Sequence, residues 1–229
     1  MTPMHATRVL LVEDHALFAE ALETALRLEG YEAQRIPPSG ELTTDDLTQA
    51  VLSMQPAVVL LDLDLGSFGT GLPLINPLAR AGIAVILVTA SADRSSWGAA
   101  VHEGARKVLP KNTPMNEVVA TIRRAVDGLP LMADDERRAL VREWRVQVAE
   151  EQDVRTRLGR LTRREAEVLG LLMTGRQVGD IAKLCFVSES TVRTQVKSIL
   201  AKLQVGSQIG AVALAHRVRW EPPVIYQDW

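Results

Sequence analysis

The chain has very little cysteine and no long uninterrupted apolar segment. Cys185 is its only cysteine, which excludes an intrachain disulfide and a structural zinc site built on cysteines. The first apolar run, residues 9–12, is too short for the core of a secretion signal, and no later run approaches membrane-spanning length. These absences predict a cytoplasmic protein that does not enter a membrane.

The chain also lacks a strong net charge, because an acidic front offsets a basic end. The formal net charge is −2 over 229 residues, a length that suits two domains. Residues 1–126 hold 10 Lys and Arg against 14 Asp and Glu, whereas residues 161–219 hold 9 against 4. This split favours cation handling in the first region and polyanion binding in the second.

Short apolar runs alternate with amphipathic helical segments between residues 8 and 126. The apolar runs contain few polar residues, as expected for strands buried on both faces of a parallel sheet. Five such strands alternating with helices predict an α/β doubly wound fold. The predicted strands lie at residues 9–12, 31–36, 58–63, 84–88 and 107–109.

Acidic, hydroxyl and lysine side chains stand at the ends of these predicted strands. Glu13 and Asp14 follow the first strand, Asp62 and Thr89 close the third and fourth, and Lys111 follows the fifth. The carboxyl ends of parallel strands meet at one sheet edge, where crowded carboxylates favour a hard cation such as Mg²⁺. One carboxylate can then attack phosphorus, while the hydroxyl and the ammonium bind phosphoryl oxygens. Each residue alone has an ordinary structural explanation, but together they predict a phosphoryl site.

Residues 8–126 resemble a two-component receiver domain. The resemblance rests on the segments LVEDH at 11–15, VLLDL at 59–63, VTA at 88–90 and LPK at 109–111. It implies a flavodoxin-like five-stranded sheet in the order 2-1-3-4-5, with Asp62 as the phosphoacceptor and a sensor histidine kinase as the partner. It also implies Mg²⁺ binding by Glu13, Asp14, Asp62 and the backbone carbonyl of Asp64, with Thr89 and Lys111 sensing the phosphoryl group.

Three residues depart from the receiver pattern. Pro110 removes one amide from the fifth strand, which is tolerable at the edge of a sheet. Gly66 stands where the family often has proline, which predicts a looser loop after Asp62. Val108 lies three residues before Lys111, where an aromatic residue often swings inward on activation. The usual coupling between a threonine and an aromatic ring therefore cannot operate here in that form.

Residues 127–160 are predicted to be a helical linker. From residue 134 to 158 the sequence contains neither glycine nor proline, and Leu140, Val141, Trp144 and Val148 share one helical face. Two interpretations of this helix remain open. It packs on the chain's own domains, or it forms a dimer contact around Trp144.

Residues 161–219 predict a small helix-turn-helix domain. Thr162 and Glu165 form a capping box that begins one helix, and Ser188 caps another that reaches about Leu203. The second helix has an apolar face opposite a polar face with two cations, a pattern that suits the major groove of DNA. An ordinary amphipathic helix is the alternative for this segment taken alone.

This region is similar to the LuxR/NarL-type output domain through LTRREAEVL at 161–169, IA at 181–182 and VSESTVRTQV at 187–196. The resemblance implies an all-α four-helix domain with a recognition helix at 188–203. It implies groove contacts from Arg193, Thr194 and Lys197, and DNA-backbone contacts from Lys183, Gln195 and Lys202. The last helix, near 206–217, commonly forms the dimer interface, here through Ile209, Val212 and Ala213, which equally suit the core of one domain. Two-fold pairing implies an inverted-repeat site in double-stranded DNA.

The sequence thus predicts a response regulator of the NarL/LuxR type that forms a homodimer when active, and not an enzyme. The predicted parts are a receiver at 1–126, a linker at 127–160, a DNA-binding domain at 161–219 and a tail at 220–229 without a role. One alternative is a phosphorylation-independent regulator whose acidic pocket is vestigial or binds a ligand or protein. The other is a magnesium-dependent phosphohydrolase in which Asp64 is the second acid.

Overall fold

The computed structural model describes residues 7–222, and the chain divides into two compact units after Arg145. Each unit has its own buried apolar core. The bounds of the receiver, linker and DNA-binding domain given above remain predictions. Residues 223–229 of the predicted tail lie outside the described residues.

The first unit contains a five-stranded parallel sheet, with the strands in the order 2-1-3-4-5 when numbered along the chain. This order confirms the predicted doubly wound, flavodoxin-like fold. The sheet is buried on both faces because successive side chains of a strand point to opposite sides. Leu10 and Val12 enter one core, whereas Val9 and Leu11 enter the other. The strands are β1 (Arg8–Val12), β2 (Glu32–Ile36), β3 (Val58–Asp62), β4 (Ala84–Thr89) and β5 (Lys107–Pro110).

Helices cover both faces of this sheet, and each buries the apolar stripe that its sequence spacing provides. Leu22 and Leu26 of the first helix and Ile122 of the fifth lie in one core. The other core contains Leu47 of the second helix, Leu74 of the third and Val101 of the fourth. The helices are α1 (Ala16–Leu28), α2 (Thr44–Ser53), α3 (Leu72–Arg80), α4 (Arg94–Glu103) and α5 (Met115–Val126).

The predicted linker forms one helix, α6 (Asp134–Leu158), whose two ends belong to different cores. Leu140 is buried in the first unit, while Val154 and Leu158 are buried in the second. Trp144 stacks on the ring of His102, with ring centroids 4.3 Å apart. These contacts support the interpretation in which the helix packs on the chain's own units.

The second unit consists of the end of α6 and four further helices around a core that includes Val192, Ile199 and Leu203. The predicted capping box is confirmed, since Thr162 accepts from the Glu165 amide and Glu165 accepts from the Thr162 amide. Trp220 packs against this core. The four helices are α7 (Arg163–Met173), α8 (Val178–Leu184), α9 (Glu189–Leu203) and α10 (Gln208–Arg217).

Within residues 7–222, no single helix is both long and apolar enough to span a membrane. Helices α9 and α10 reach the required length and composition only as a pair, across a bend of 53°. Their apolar residues lie largely in the core of the second unit.

Candidate functional site

The carboxylates predicted from the strand ends meet at one edge of the sheet. Glu13 is 4% exposed and Asp62 is 2% exposed, because they follow or close strands at the centre of the sheet. Oxygens of Glu13, Asp14 and Asp62, together with a ring nitrogen of His15, lie within 4.8 Å of one another. The fold therefore brings three hard oxygen donors into one small cluster.

Lys111 reaches this cluster from the end of β5. Its Nζ lies 2.7 Å from Asp62 Oδ2 and 2.9 Å from Glu13 Oε1, and 5.2 Å from the centre of the Phe18 ring. One ammonium thus faces three carboxylates. The surplus of negative charge favours a further cation at this position.

Burial and ion pairing act in opposite directions on these two side chains. Burial raises the pKa of Asp62, and the hydrogen bond from Lys111 opposes that rise. Burial would lower the pKa of Lys111, but hydrogen bonds to Asp62 and Glu13 outweigh it, so the pKa of Lys111 is raised. The lysine therefore stays charged. The charged form of Asp62 is disfavoured by burial and by the neighbouring Glu13.

Thr89 is 2% exposed at the end of β4, next to the sheet edge that holds the carboxylates. Its hydroxyl oxygen accepts a hydrogen bond from the Ser91 amide at 3.1 Å, and its carbonyl accepts one from the Lys111 amide at 2.8 Å. Thr89 and Lys111 line the same open cavity of about 470 Å³. Thr89 and Lys111, the residues predicted to sense the phosphoryl group, are thus neighbours at the rim of one cavity.

The loop after Asp62 is closed by short hydrogen bonds. The Asp64 amide donates to Asp62 Oδ1 at 3.2 Å, and the Leu65 amide donates to the Gly69 carbonyl at 2.8 Å. Gly66 has a φ of +57°, and a Cβ there would lie 2.6 Å from Asp14 Oδ2. Glycine at this position therefore makes a defined left-handed turn beside the cluster, whereas the sequence suggested a looser loop.

His15 also belongs to the cluster, although the sequence predicted no role for it there. Its Nδ1 lies 2.8 Å from Asp14 Oδ1 and 3.0 Å from Glu13 Oε1. The hydrogen bond to Glu13 raises the pKa of His15. Its position directly after two acidic residues was the available signal.

Helix α9 presents the predicted groove-contacting residues to solvent. Arg193, Thr194 and Lys197 are exposed. Arg193 also forms an ion pair with Glu189 at 3.0 Å, one turn earlier on the same helix. The ion pair is itself exposed, so it is weak and easily exchanged for another anion.

The predicted DNA-backbone contacts are more mixed. Lys183 is exposed and Gln195 is half-buried. The Lys202 Nζ lies 2.6 Å from Glu165 Oε2, and the Ser198 hydroxyl donates to Glu165 Oε1 at 2.6 Å. Lys202 thus has a structural partner within its own unit, which the sequence did not indicate.

Glu165 is an acid whose pKa lies far below its ordinary value. Burial would raise its pKa, but hydrogen bonds from Lys202, Ser198 and Thr162 lower it to about 2. Here every charge is matched, in contrast to the cluster at Asp62. The predicted capping residue is therefore also a link between α7 and α9.

Helix α10 divides between the core and the surface. Ala211 and Ala215 are buried, whereas Ile209 is 83% exposed. Ala213 is exposed and Val212 is half-buried. Two of the three residues predicted for pairing thus lie at the surface of the described unit.

Comparison with known proteins gives matches to both units. A sequence profile described as a response regulator receiver domain matches residues 9–123. Another, described as bacterial regulatory proteins of the luxR family, matches residues 159–215. The two matches cover the acidic cluster and helix α9, respectively.

Relatives match this chain over most of their own length as well as over most of this chain. The probable transcriptional regulatory protein NarL of Mycobacterium tuberculosis is 30% identical, over 93% of this chain and 94% of the relative. The nitrate/nitrite response regulator protein NarP of Escherichia coli is 29% identical, over 90% and 93%. A solved structure of the two-component response regulator RcsB–DNA complex aligns with 20% identity and a TM-score of 0.48, over 93% and 99%.

Proposed function

The chain belongs to the two-component response regulators that join a receiver domain to a LuxR-type DNA-binding domain, and we propose that phosphorylation of Asp62 controls its binding to DNA. As a member of this family it is a DNA-binding transcriptional regulator. One observation carries the proposal: a buried carboxylate, Asp62, lies 2.7 Å from the ammonium of Lys111 within a cluster of acids.

The proposed step is phosphoryl transfer to a carboxylate. An oxygen of Asp62 forms a bond to phosphorus, and the bond from phosphorus to the donor breaks, its electron pair leaving with the donor. The donor is a phosphohistidine of a sensor histidine kinase, or a small acyl phosphate. Lys111 and the Thr89 hydroxyl then donate hydrogen bonds to phosphoryl oxygens. The mixed anhydride is the labile signal that the receiver holds.

The donor set at the cluster fits Mg²⁺. Glu13, Asp14 and Asp62 supply carboxylate oxygens, and the backbone carbonyl of Asp64 is proposed to complete the protein ligands. A bound Mg²⁺ neutralises charge on the carboxylates and on the incoming phosphoryl group. Lys111 alone leaves this charge only partly compensated.

Intact-mass spectrometry tests the phosphoacceptor. The full chain is incubated with acetyl phosphate and Mg²⁺, and an Asp62→Asn variant is treated in parallel. We expect one phosphoryl adduct in the parent and none in the variant. No adduct in a folded parent would contradict the proposal and favour phosphorylation-independent control, while steady release of phosphate from a generic ester would favour a phosphohydrolase.

For DNA binding, Arg193 and Lys197 are the cations proposed to reach the major groove from α9. If Arg193 contacts a base, Arg193→Ala costs about 1–3 kcal/mol and relaxes specificity at one position. If Lys197 contacts a phosphate, Lys197→Ala weakens binding to all sequences and lowers the salt slope by about 1. Fluorescence anisotropy with several duplexes and salt concentrations separates the two effects.

The matched control is Arg217→Ala, which removes one positive charge from α10, where Arg217 lies 3.8 Å from Glu150. We expect its affinity for DNA to stay close to that of the parent. Equal losses in all three variants would mean that net charge, and not the face of α9, determines binding.

We also propose that the active form is a homodimer that binds an inverted repeat. The support is the exposed Ile209 on α10, where a large apolar side chain is 83% accessible. Sedimentation velocity on the phosphorylated parent and on Ile209→Asp tests this assignment. A variant that dimerises as the parent does would exclude Ile209 from the interface.

A further inference from the structure

Trp97 lies between the phosphorylation site and the linker helix. It belongs to the first turns of α4, and its indole N–H donates to the Ser91 carbonyl at 2.9 Å. The Ser91 amide in turn donates to the Thr89 hydroxyl oxygen at 3.1 Å. The main chain of one residue, Ser91, thus connects the indole to the hydroxyl proposed to sense the phosphoryl group.

The same indole borders the cavity beside Thr89 and Lys111. This cavity of about 470 Å³ is lined by the ends of β4 and β5 and by Trp97. Val108, at the position where receiver domains often carry the mobile aromatic residue, is 7% exposed and packed in the core. The aromatic ring next to Thr89 in this chain is therefore supplied by α4, with space for it to move.

The residue after Trp97 is in close contact with α6. A Cβ at Gly98 would overlap the Leu140 carbonyl oxygen and lie 2.7 Å from Trp144 Cβ. Two further contacts hold the helices together, the stacking of His102 on Trp144 and the ion pair of Arg94 with Glu143 at 2.7 Å. Because the two helices are in direct contact at residue 98, a shift of α4 at this position displaces α6.

We propose that Trp97 is a positioning residue that transmits the state of Thr89 to the linker helix, in place of the absent aromatic residue at position 108. A phosphoryl group on Asp62 draws the Thr89 hydroxyl toward it, which withdraws the acceptor of the Ser91 amide. The loop between β4 and α4 then rearranges, and the indole moves with the Ser91 carbonyl. This inference rests on the proposed phosphorylation of Asp62.

Fluorine NMR of the full chain labelled with 5-fluorotryptophan tests the route, because Trp97 reports on α4 and Trp144 on α6. Each resonance is assigned by a single Trp→Phe substitution, and Trp220 in the second unit reports changes that are not confined to α4 and α6. Acetyl phosphate and Mg²⁺ are added, and intact mass gives the phosphorylated fraction of the same samples. We expect new Trp97 and Trp144 resonances to appear in the parent, with intensities that follow that fraction.

The decisive variant is Trp97→Phe, which keeps an aromatic ring but removes the indole donor. We expect the separation between the Trp144 resonances of the phosphorylated and unphosphorylated forms to fall at least about threefold. Ser91→Ala is the matched control, since both hydrogen bonds of Ser91 on this route use its main chain. It should respond as the parent does, and urea unfolding confirms that both variants are folded.

The outcomes separate this inference from the proposed function. A phosphorylated parent whose Trp144 signal does not shift, or a Trp97→Phe variant with the parental shift, overturns the role of Trp97 alone. A loss of response in Ser91→Ala equal to that in Trp97→Phe would assign the transmission to the serine side chain and overturn it too. No adduct on Asp62 in the parent overturns the proposed function and this inference with it.

Discussion

Each unit of the chain buries a glutamate beside a lysine, but the two pairs differ in the charges that surround them. In the first unit, Glu13 shares Lys111 with Asp62, and Asp14 adds a third carboxylate. In the second, Glu165 has Lys202 to itself and also accepts from Ser198 and Thr162. The pKa of Asp62 is raised by burial, whereas the pKa of Glu165 is lowered to about 2.

The difference lies in whether the buried charges are matched. Glu165 of α7 accepts hydrogen bonds from Lys202 and Ser198 of α9, so its charge is matched and it links the two helices. A pair with surplus negative charge gains from an added cation and changes when one of its carboxylates is modified. The same residue types thus link two helices in the second unit and form a cluster that responds to added charge in the first.

The largest expected effect comes from removing the lysine of the acidic cluster. We expect Lys111→Met to lower the free energy of unfolding of the first unit by about 3–5 kcal/mol at pH 7, because buried carboxylates lose their partner. Mg²⁺ should restore part of this loss. Urea unfolding with pulse proteolysis measures it, since the surviving fragments assign each transition to a unit.

Lys107→Met is the control on the same strand, where Lys107 pairs with the half-exposed Glu136 at 3.3 Å. A surface pair of this kind contributes less than about 1 kcal/mol. Similar losses in the two variants would show that Lys111 is an ordinary surface cation.

Glu165→Gln tests the link between α7 and α9. The pKa of Glu165 falls from 4.5 to about 2 on folding, which corresponds to roughly 3 kcal/mol of stability above pH 5. Because the folded-state pKa is the lower one, this stability is lost as the pH falls from 4.5 toward 2. The difference between parent and variant should therefore shrink over that range in urea unfolding.

Glu167→Gln serves as the control, because Glu167 pairs with the exposed Arg164 within α7 at 2.7 Å. We expect it to cost less than about 1 kcal/mol. A difference between parent and Glu165→Gln that stays constant down to pH 2 would contradict the assignment of the low pKa to Glu165.

The smallest expected effect has the opposite sign. Asp14→Asn removes one of three mutually repelling carboxylates, so in EDTA the first unit should gain about 1 kcal/mol. With Mg²⁺ the parent should gain more stability than the variant, because a proposed ligand is lost. Thermal unfolding in both conditions measures this, with Glu41→Gln as an exposed acidic control. Destabilisation in EDTA would show that Asp14 is already fully compensated by His15.

Much of this arrangement follows from local patterns in the sequence. The parallel strands and the gathering of Glu13, Asp62 and Lys111 at one edge follow from buried runs that end in polar residues, and Thr162 with Glu165 follows from helix capping. The contacts of Glu165 with Lys202 and Ser198 join residues more than thirty positions apart, so they depend on how α7 crosses α9.

The same reason explains what the sequence missed near Trp97. Its hydrogen bond to Ser91 is local, but its significance depends on the space left by Val108 and on the approach of α6 to Gly98. Those are packing relations between elements, and no single-residue pattern reports them. His15 directly follows two acidic residues, but this position alone does not indicate which groups the imidazole contacts.

The turn at Gly66 has a consequence for how this sequence can drift. A side chain there would strain a backbone at φ +57° and displace the Asp14 carboxylate, whose Oδ2 would lie 2.6 Å from the added Cβ. Proline would in addition require the turn to rebuild, since its ring fixes a negative φ. Variation at position 66 is therefore limited by its effect on Asp14 as well as by its effect on the loop.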